Sequence, residues 1–480
     1  MTTTKLPEHT TLVMKFGGTS VGTPEAMRQV VAIVKNEKQT WKNVIVVTSA
    51  LSGVTDLLLK MASSATSNLP LFIEDSAVTI HKRHQEIAEI LVEDAEKRHK
   101  AMSEVDEILT QIVSFSKAIA VLGEATPRVM DTIASAGERM CIRLLAAAID
   151  SAGIPAEAVE ATRLILTDDN YMDAHPDIPA SNKLTKAVLN PILEKGAVPV
   201  ITGFLAATAK GNITTLGRGG SDYSAALIGA ALPADDVWIY TDVDGVMTAD
   251  PRLVPDATTV PVCTYREVAE LAYYGAKVLH PKTIRPVIEA GIGLRVCNTF
   301  NPSHPGTRLV ATSKARDGVI KAITTVRGLQ LVTLEGRGML GVPGVAGRTF
   351  DTVAKLGTSV PLITQASSEQ SICFAVPAES VQRVIEELSA AFAHEIENRD
   401  IDRVWATEEV GIITVVGEGI KTTPGIAGRI CTALGDNNVN IVAIAQGSSD
   451  VAISLVILAA ELKKALQVLH KLIQNSEPAK

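Results

Sequence analysis

Two glycine turns in this sequence place a charged side chain beside backbone that can approach a ligand closely. In Lys15-Phe16-Gly17-Gly18-Thr19-Ser20 a lysine ends an apolar run next to two residues without a Cβ. Amides in such a turn, and at the start of a following helix, can hold phosphate oxygens. The adjacent ammonium can offset charge on a phosphoryl group in transfer. The lysine precedes the glycines, so this is not a Walker A loop, and a tight turn with a solvated lysine would show the same residues. Leu216-Gly217-Arg218-Gly219-Gly220-Ser221-Asp222 repeats the arrangement with an arginine suited to a bidentate grip on a carboxylate. Ser221 or Asp222 could equally cap a helix there. Thr241-Asp242-Val243-Asp244-Gly245 and Asp250-Pro251-Arg252 would by themselves pass for Asx and proline turns. Glu138 and Lys277, in Gly275–Pro281, carry no motif alone. His81, His84 and His99 lack any metal-ligand spacing, and no protein metal ligands are expected.

The elements that must position these residues alternate. The run Thr11–Phe16 reads as a strand, 24–35 as a helix, and 44–48 as a second strand with a Val/Ile run typical of a sheet buried on both faces. Residues 71–122 are charged, nearly free of glycine and helically periodic, and read as two helices joined near Lys100. Alternation then resumes with a helix over 131–152, strands at 156–160 and 198–203, a helix over 223–231 and a strand at 236–241. The stretch 298–317, with Pro302, Pro305 and Gly306, reads as the way out of the first domain.

Beyond it lies an internal repeat. Pro343-Gly344-Val345-Ala346-Gly347-Arg348 matches Pro424-Gly425-Ile426-Ala427-Gly428-Arg429, and the same offset of 81 residues aligns Gln365 with Gln446, Ser367 with Ser448 and Gly336 with Gly417. Each copy reads as a small α+β module. The first ends in an extra extended segment near 401–406, whereas the second stops after its helix at 462–473. A module missing its last strand leaves an open sheet edge. The segment 318–325, just before the first copy, is expected to fill it.

Composition narrows the function classes. A chain of 480 residues allows about three domains at roughly 150 residues each. An apolar share of 46 % with 20 % charged residues describes a globular chain, and a net charge of −8 argues against a nucleic-acid binder. The N-terminus lacks the apolar core of an export signal, and no apolar run could span a bilayer. Five cysteines, widely spaced, point to free thiols in the cytoplasm.

Taken together, Lys15–Val21, Thr48–Gly53, Ser135–Glu138, Thr214–Asp222, Thr241–Gly245, Asp250–Arg252 and Gly275–Pro281 closely resemble the aspartate kinases of the amino acid kinase family, in that family's order and over nearly the whole chain. The paired C-terminal modules look like its ACT domains. The resemblance implies a three-layer α/β/α sandwich with a mostly parallel sheet over 1–312, with the helical insertion at about 71–122. Two ferredoxin-like α+β ACT modules follow, over 326–407 and 408–480. It implies phosphorylation of L-aspartate by ATP with Mg2+ to 4-phospho-L-aspartate, the first step towards lysine, threonine and methionine. Lys15, Asp222 and Lys277 would be catalytic. Thr55, Glu138, Phe204, Arg218 and Ser221 would bind aspartate. Lys15, Phe16, Gly17, Gly18, Thr241, Asp242, Met247, Arg252, Lys277 and Val278 would surround ATP. Met247 stands where an aromatic often sits, which leaves an apolar contact. Bifunctional relatives continue into a homoserine dehydrogenase domain, whereas this chain is expected to be monofunctional.

The ACT resemblance implies feedback by an end-product amino acid and a homo-oligomer formed through these modules. Thr364, Gln365, Ser367, Gln446 and Ser448 look like the effector residues of threonine-sensitive members, with lysine as the alternative effector. A catalytically silent amino-acid sensor on the same fold, and a kinase for another small substrate, are the competing readings. The intact Lys15, Glu138, Arg218, Asp222 and Lys277 speak against the first, and the Glu138/Arg218 combination with the ACT pair against the second.

Overall fold

The computed structural model describes residues 10–66, 70–275, 279, 281–312, 320–365, 370–446 and 450–474. They form two compact units. The first comprises Met1–Val246, Pro261–Tyr265 and Val278–Ala311, and the second Met247–Val260, Arg266–Lys277 and Thr312–Lys480.

Eight strands build the main sheet of the first unit: β1 (Thr11–Phe16), β2 (Asn43–Thr48), β3 (Ala156–Val159), β4 (Val198–Thr202), β5 (Asp236–Thr241), β6 (Val262–Thr264), β7 (Gly293–Asn298) and β8 (Thr307–Val310). Their order is β3-β4-β2-β1-β5-β7-β8-β6. All neighbours are parallel except β7 and β8. Val44 to Val47 are fully buried, as an uninterrupted Val/Ile run in a covered sheet requires. The helices Pro24–Thr40 and Ala136–Ser151 contribute to one continuous core with β1 and β2. β1 is flanked by β2 on one side and β5 on the other, so the chain order reverses at its carboxyl end. In open α/β sheets ligands bind at such a switch point, and Lys15 stands there.

The insertion consists of helices Pro70–Leu91 and Ala95–Leu122. They break at Asp94, not near Lys100, because the Asp94 carboxylate accepts the N–H groups of Glu96 (2.9 Å) and Lys97 (3.1 Å) and starts the second helix. The stretch expected to lead out of the first domain does so after Ala311, but only after forming β8. It folds back antiparallel on β7 and buries Thr307 and Leu309.

The second unit holds a seven-stranded antiparallel sheet: β9 (Ala322–Glu335), β10 (Leu362–Gln365), β11 (Ser371–Pro377), β12 (Arg403–Ala406), β13 (Val410–Val416), β14 (Ala443–Ala445) and β15 (Ala452–Leu458). The order is β10-β11-β9-β13-β15-β14, with β12 also on β9. β9 serves two modules. Its Ala322–Val326 part pairs with β13, and its Leu329–Glu335 part pairs with β11 and, over Val332–Glu335, with β12. The register shifts between Val326 and Leu329, where Gly328 takes φ 69°. Each module has two helices, Val345–Lys355 with Val381–Ala391 and Ile426–Asp436 with Leu462–Gln474, over its own core.

Two segments that precede residue 312 pack with these modules for clear physical reasons. Ala249 and Val254 join the apolar core that contains Ile323, Ile413 and Leu469. Thr248 Oγ1 lies 2.9 Å from Nε2 of the buried His470, and Ile323 N–H donates to the Thr248 carbonyl (2.8 Å). The buried Glu267 carboxylate meets Lys321 Nζ at 2.9 Å and accepts the Glu418 N–H at 2.8 Å. Among the described residues no helix is long and apolar enough to cross a membrane.

Candidate active site

At the end of β1, Lys15 Nζ lies 2.6 Å from Asp222 Oδ1, with both side chains largely covered (11 % and 16 % exposed). Asp222 sits in the first turn of the helix Gly220–Ala231, where a carboxylate is favoured by the unpaired amides. Neither Ser221 nor Asp222 caps this helix. The N-cap is Gly219 at φ 75°, which offers no side-chain bond. The first-turn amides therefore have no side-chain cap, an arrangement that suits an anion. Gly217 (φ 71°) and Gly219 put the intervening Arg218 on a turn that L-residues follow only with strain, and Arg218 itself is exposed.

Glu138 belongs to the first turn of Ala136–Ser151. That helix end can come close because Gly137 has no side chain; a Cβ there would fall 2.6 Å from Ala50 Cβ. Glu138 is 4 % exposed, and its Oε2 is buried without a protein partner. Burial pushes its carboxyl up to about 8, against the pull of the Ala50 N–H and the Lys15 charge. A buried acid aimed into a cleft with one oxygen unsatisfied is poised for a cationic ligand.

The opposite wall is held by strain and by hydrogen bonds. Phe204 has φ 69°, uncommon for an aromatic residue. It is fixed by its N–H to Ser224 Oγ (3.0 Å) and by Leu216 N–H to its carbonyl (2.9 Å). Gly203 leaves room for Ser221, since a Cβ there would stand 2.6 Å from Ser221 Cβ. Ser221 Oγ in turn accepts from Ser49 Oγ at 3.0 Å. Lys15, Thr55, Glu138, Phe204, Arg218, Ser221 and Asp222 thus line one cavity of about 300 Å3. A second, of about 330 Å3, shares Ser49, Thr55 and Glu138 with it and reaches Gly18. Two cations, a buried carboxyl and free helix amides can together hold an anion with an ammonium group beside a phosphate chain.

The remaining candidates are placed differently. Phe16 stacks on Tyr240 (4.7 Å), just before Thr241, whose hydroxyl donates to Asp242 (3.1 Å). Gly17 N–H donates to the Tyr240 carbonyl (3.4 Å). Met247 and Arg252 belong to the second unit, where Arg252 pairs with Asp250 at 2.8 Å. Lys277, Val278, Ser367 and Ser448 lie outside the described residues. In the second unit Gln365 ends β10 and helps line a cavity of about 420 Å3 with the turn Gly341–Ala346. Gln446 follows β14, and β10 and β14 pack together.

Asp131 belongs to none of the sequence motifs yet supports the site. It is 1 % exposed and accepts the N–H groups of Met172 and Thr215 and the Thr215 hydroxyl (2.7 Å). It fixes the strand end from which the Arg218 turn departs. Burial raises its pKa while those bonds lower it, with burial prevailing.

The fold and cleft define an open α/β domain with a ligand cleft at the switch point of its sheet, accompanied by a paired α+β sheet. Comparisons agree. The model of the amino acid kinase family matches residues 10–298, and that of the ACT domain matches 332–392 and 413–472. The bifunctional aspartokinase/homoserine dehydrogenase of Haemophilus influenzae is 35 % identical over 97 % of this chain, which spans 57 % of that relative's length. The chloroplastic aspartokinase 1 of Arabidopsis thaliana is 32 % identical, over 96 % of this chain and 80 % of the relative. Aspartokinase III of E. coli, solved with aspartate and ADP, superposes with a TM-score of 0.78 at 30 % identity, over 96 % of this chain and 99 % of the other; its complex with lysine and aspartate gives 0.79. The chain belongs to the aspartokinases of the amino acid kinase family, with C-terminal ACT domains.

Proposed function

We propose that this chain transfers the γ-phosphoryl group of ATP to the β-carboxylate of L-aspartate, giving ADP and 4-phospho-L-aspartate, and that threonine inhibits it through the ACT modules. The observation that carries the reading is the joint placement of Arg218, the buried Glu138 and the Lys15–Asp222 pair in one cleft. Arg218 clamps the α-carboxylate of aspartate, and Glu138 receives its α-ammonium. Thr55, Phe204 and Ser221 shape the site around it. The β-carboxylate is ionised at neutral pH and attacks the γ-phosphorus without a general base, while the bond to the β,γ-bridging oxygen breaks and ADP departs. Catalysis is then positioning and charge neutralisation. Lys15, held by Asp222, neutralises charge on the transferring group, and Lys277 is assigned the same task. Phe16, Gly17 and Gly18 follow the phosphates, with Thr241, Asp242, Met247, Arg252 and Val278 around the nucleotide. Mg2+ on the nucleotide's phosphates supplies further neutralisation.

The catalytic domain is assigned to residues 1–312, and the ACT modules to 326–407 and 408–480, the second completed by 318–325. The effector is placed at Thr364, Gln365, Ser367, Gln446 and Ser448, where amide and hydroxyl groups suit a small polar amino acid. Lysine is the second reading, because the E. coli relative was solved with lysine. The protein acts in the cytoplasm as a homo-oligomer paired through its ACT modules. The test is an aspartyl hydroxamate assay in Mg-ATP, with and without threonine or lysine. Product that threonine suppresses supports both parts. Suppression by lysine alone overturns the effector assignment, and no product from folded protein overturns the kinase reading.

A further inference from the structure

The first unit contains another cavity, of about 400 Å3, that shares no residue with the cleft above. That volume lies in the range of small-molecule sites, about 300–1,000 Å3. It is bounded by the helix Pro24–Thr40, by β5 and β7, and by the loop after β7. Trp238 faces Arg295 and Tyr240 faces Cys297 across the paired strands, and the period of two puts all four on one side of the sheet. The Arg295 guanidinium lies 5.2 Å above the Trp238 ring, and its Nη1 donates to the Pro305 carbonyl at 3.2 Å. The side chain is therefore held in place. Its Nε and the Trp238 Nε1 are buried with no hydrogen-bond partner, which is costly unless something else satisfies them.

An opposite charge stands on the helical wall. Glu37 lines the same cavity and takes a hydrogen bond from Asn36 (3.1 Å). Both charges are felt by Tyr240 and Cys297, which line the same cavity. Burial is the main reason that the Tyr240 hydroxyl and the Cys297 thiol ionise late; Glu37 adds to that effect and Arg295 opposes it. A fixed guanidinium, a carboxylate across the space, and apolar surface from Ile33, Trp238 and Cys297 form a bipolar pocket with a dry wall. A guanidinium matches a carboxylate in geometry, and poorly screened surroundings strengthen both charge contacts. A phosphorylated ligand suits it less well, because Glu37 would repel a dianion.

We propose that this cavity binds a small free α-amino acid with an apolar side chain. Its carboxylate meets Arg295, its ammonium meets Glu37, and its side chain lies against Trp238 and Ile33. The site is separate from the aspartate cleft and from the ACT modules.

Isothermal titration of the full chain tests this, with L-leucine, L-methionine and L-phenylalanine as probes. Aspartate and ADP are kept saturating, and a Gln365→Ala/Gln446→Ala background removes the assigned effector residues. At least one probe is expected to bind in the millimolar range or better. Its N-acetyl form, without the ammonium, and its amide, without the carboxylate, are each expected to bind at least about tenfold more weakly. Arg295→Gln and Glu37→Gln should each weaken the parent amino acid by a similar factor and leave hydroxamate formation unchanged. Glu37, on a partly exposed helix face, decides the matter if Arg295→Gln does not fold. No binding by any of the three probes overturns the proposal, and so does binding that survives both variants. Because the same samples are assayed for hydroxamate, an absent kinase activity would be seen separately and would leave the binding result standing.

Discussion

If aspartate binds as proposed, the buried Glu138 makes its affinity depend on pH in a direction that can be worked out beforehand. Burial raises its carboxyl to about 8, so the free protein holds it mostly protonated at pH 7. If the α-ammonium of aspartate needs the ionised form, binding must expel that proton. For a group with a pKa of about 8, roughly one molecule in eleven is ionised at pH 7 and one in two at pH 8. The aspartate KM should therefore fall about fivefold from pH 7 to pH 8, and by nearly tenfold per unit at lower pH. The sign follows from linkage: the ligand prefers the deprotonated state, so affinity grows as pH rises through the pKa. Initial rates at saturating Mg-ATP between pH 6.5 and 8.5, fitted for the aspartate KM at each pH, measure this. Glu138→Gln cannot ionise, so its KM should be flat across the window and at least about tenfold above wild type at pH 8.5, the worth of a charge-assisted hydrogen bond. A flat wild-type profile, or a Gln variant that keeps the slope, would refute the assignment of Glu138 to the ammonium.

Other changes separate binding, chemistry and architecture. Lys15→Ala should lower kcat by about 100- to 1,000-fold, the usual cost of removing one transition-state charge contact, with a far smaller change in either KM; near wild-type kcat would remove Lys15 from the chemistry. Asp131→Ala strips the anchor from Met172 and Thr215 and strands buried donors. It should cost about 2–6 kcal/mol, at about 1–3 kcal/mol for each of the two buried Thr215 donors left unsatisfied, read as a lower Tm together with weakened aspartate binding. Lys321→Met removes the ammonium beside the buried Glu267 and should destabilise the second unit by about 3–5 kcal/mol, visible as an earlier melting step. Gln365→Ala and Gln446→Ala should abolish threonine inhibition while leaving the uninhibited rate intact; full sensitivity in both would move the effector elsewhere.

Local chemistry made much of this legible. Gly217 and Gly219 stand where φ is positive, and no other residue type tolerates the turn as well, so the motif announces its own geometry. The open edge of the second module was readable for a similar reason: a missing strand is a visible deficit, and Ala322–Val326 pairs there. The helix break is marked in the sequence by Asp94, an N-cap residue type ahead of the second helix. Asp131 is not so marked. It looks like any polar residue on an amphipathic helix, and its partners lie 41 and 84 residues further on. The attachment of 247–260 to the second unit was equally hidden, because Thr248 meets His470 across 222 residues. Distant partners leave no periodicity to read.

That attachment bears on how such a chain can be cut or fused. The chain changes units after Val246, Val260, Tyr265, Lys277 and Ala311. No single joint separates them, so a truncation near 312 does not yield a free catalytic half. It leaves Ala249 and Val254 without the core that buries them, and Thr248 without His470. Changes to the second unit are therefore better made by point substitution than by deletion. Recombination that brought the modules together would have had to adapt loops on both sides of the join, which favours their inheritance as one piece.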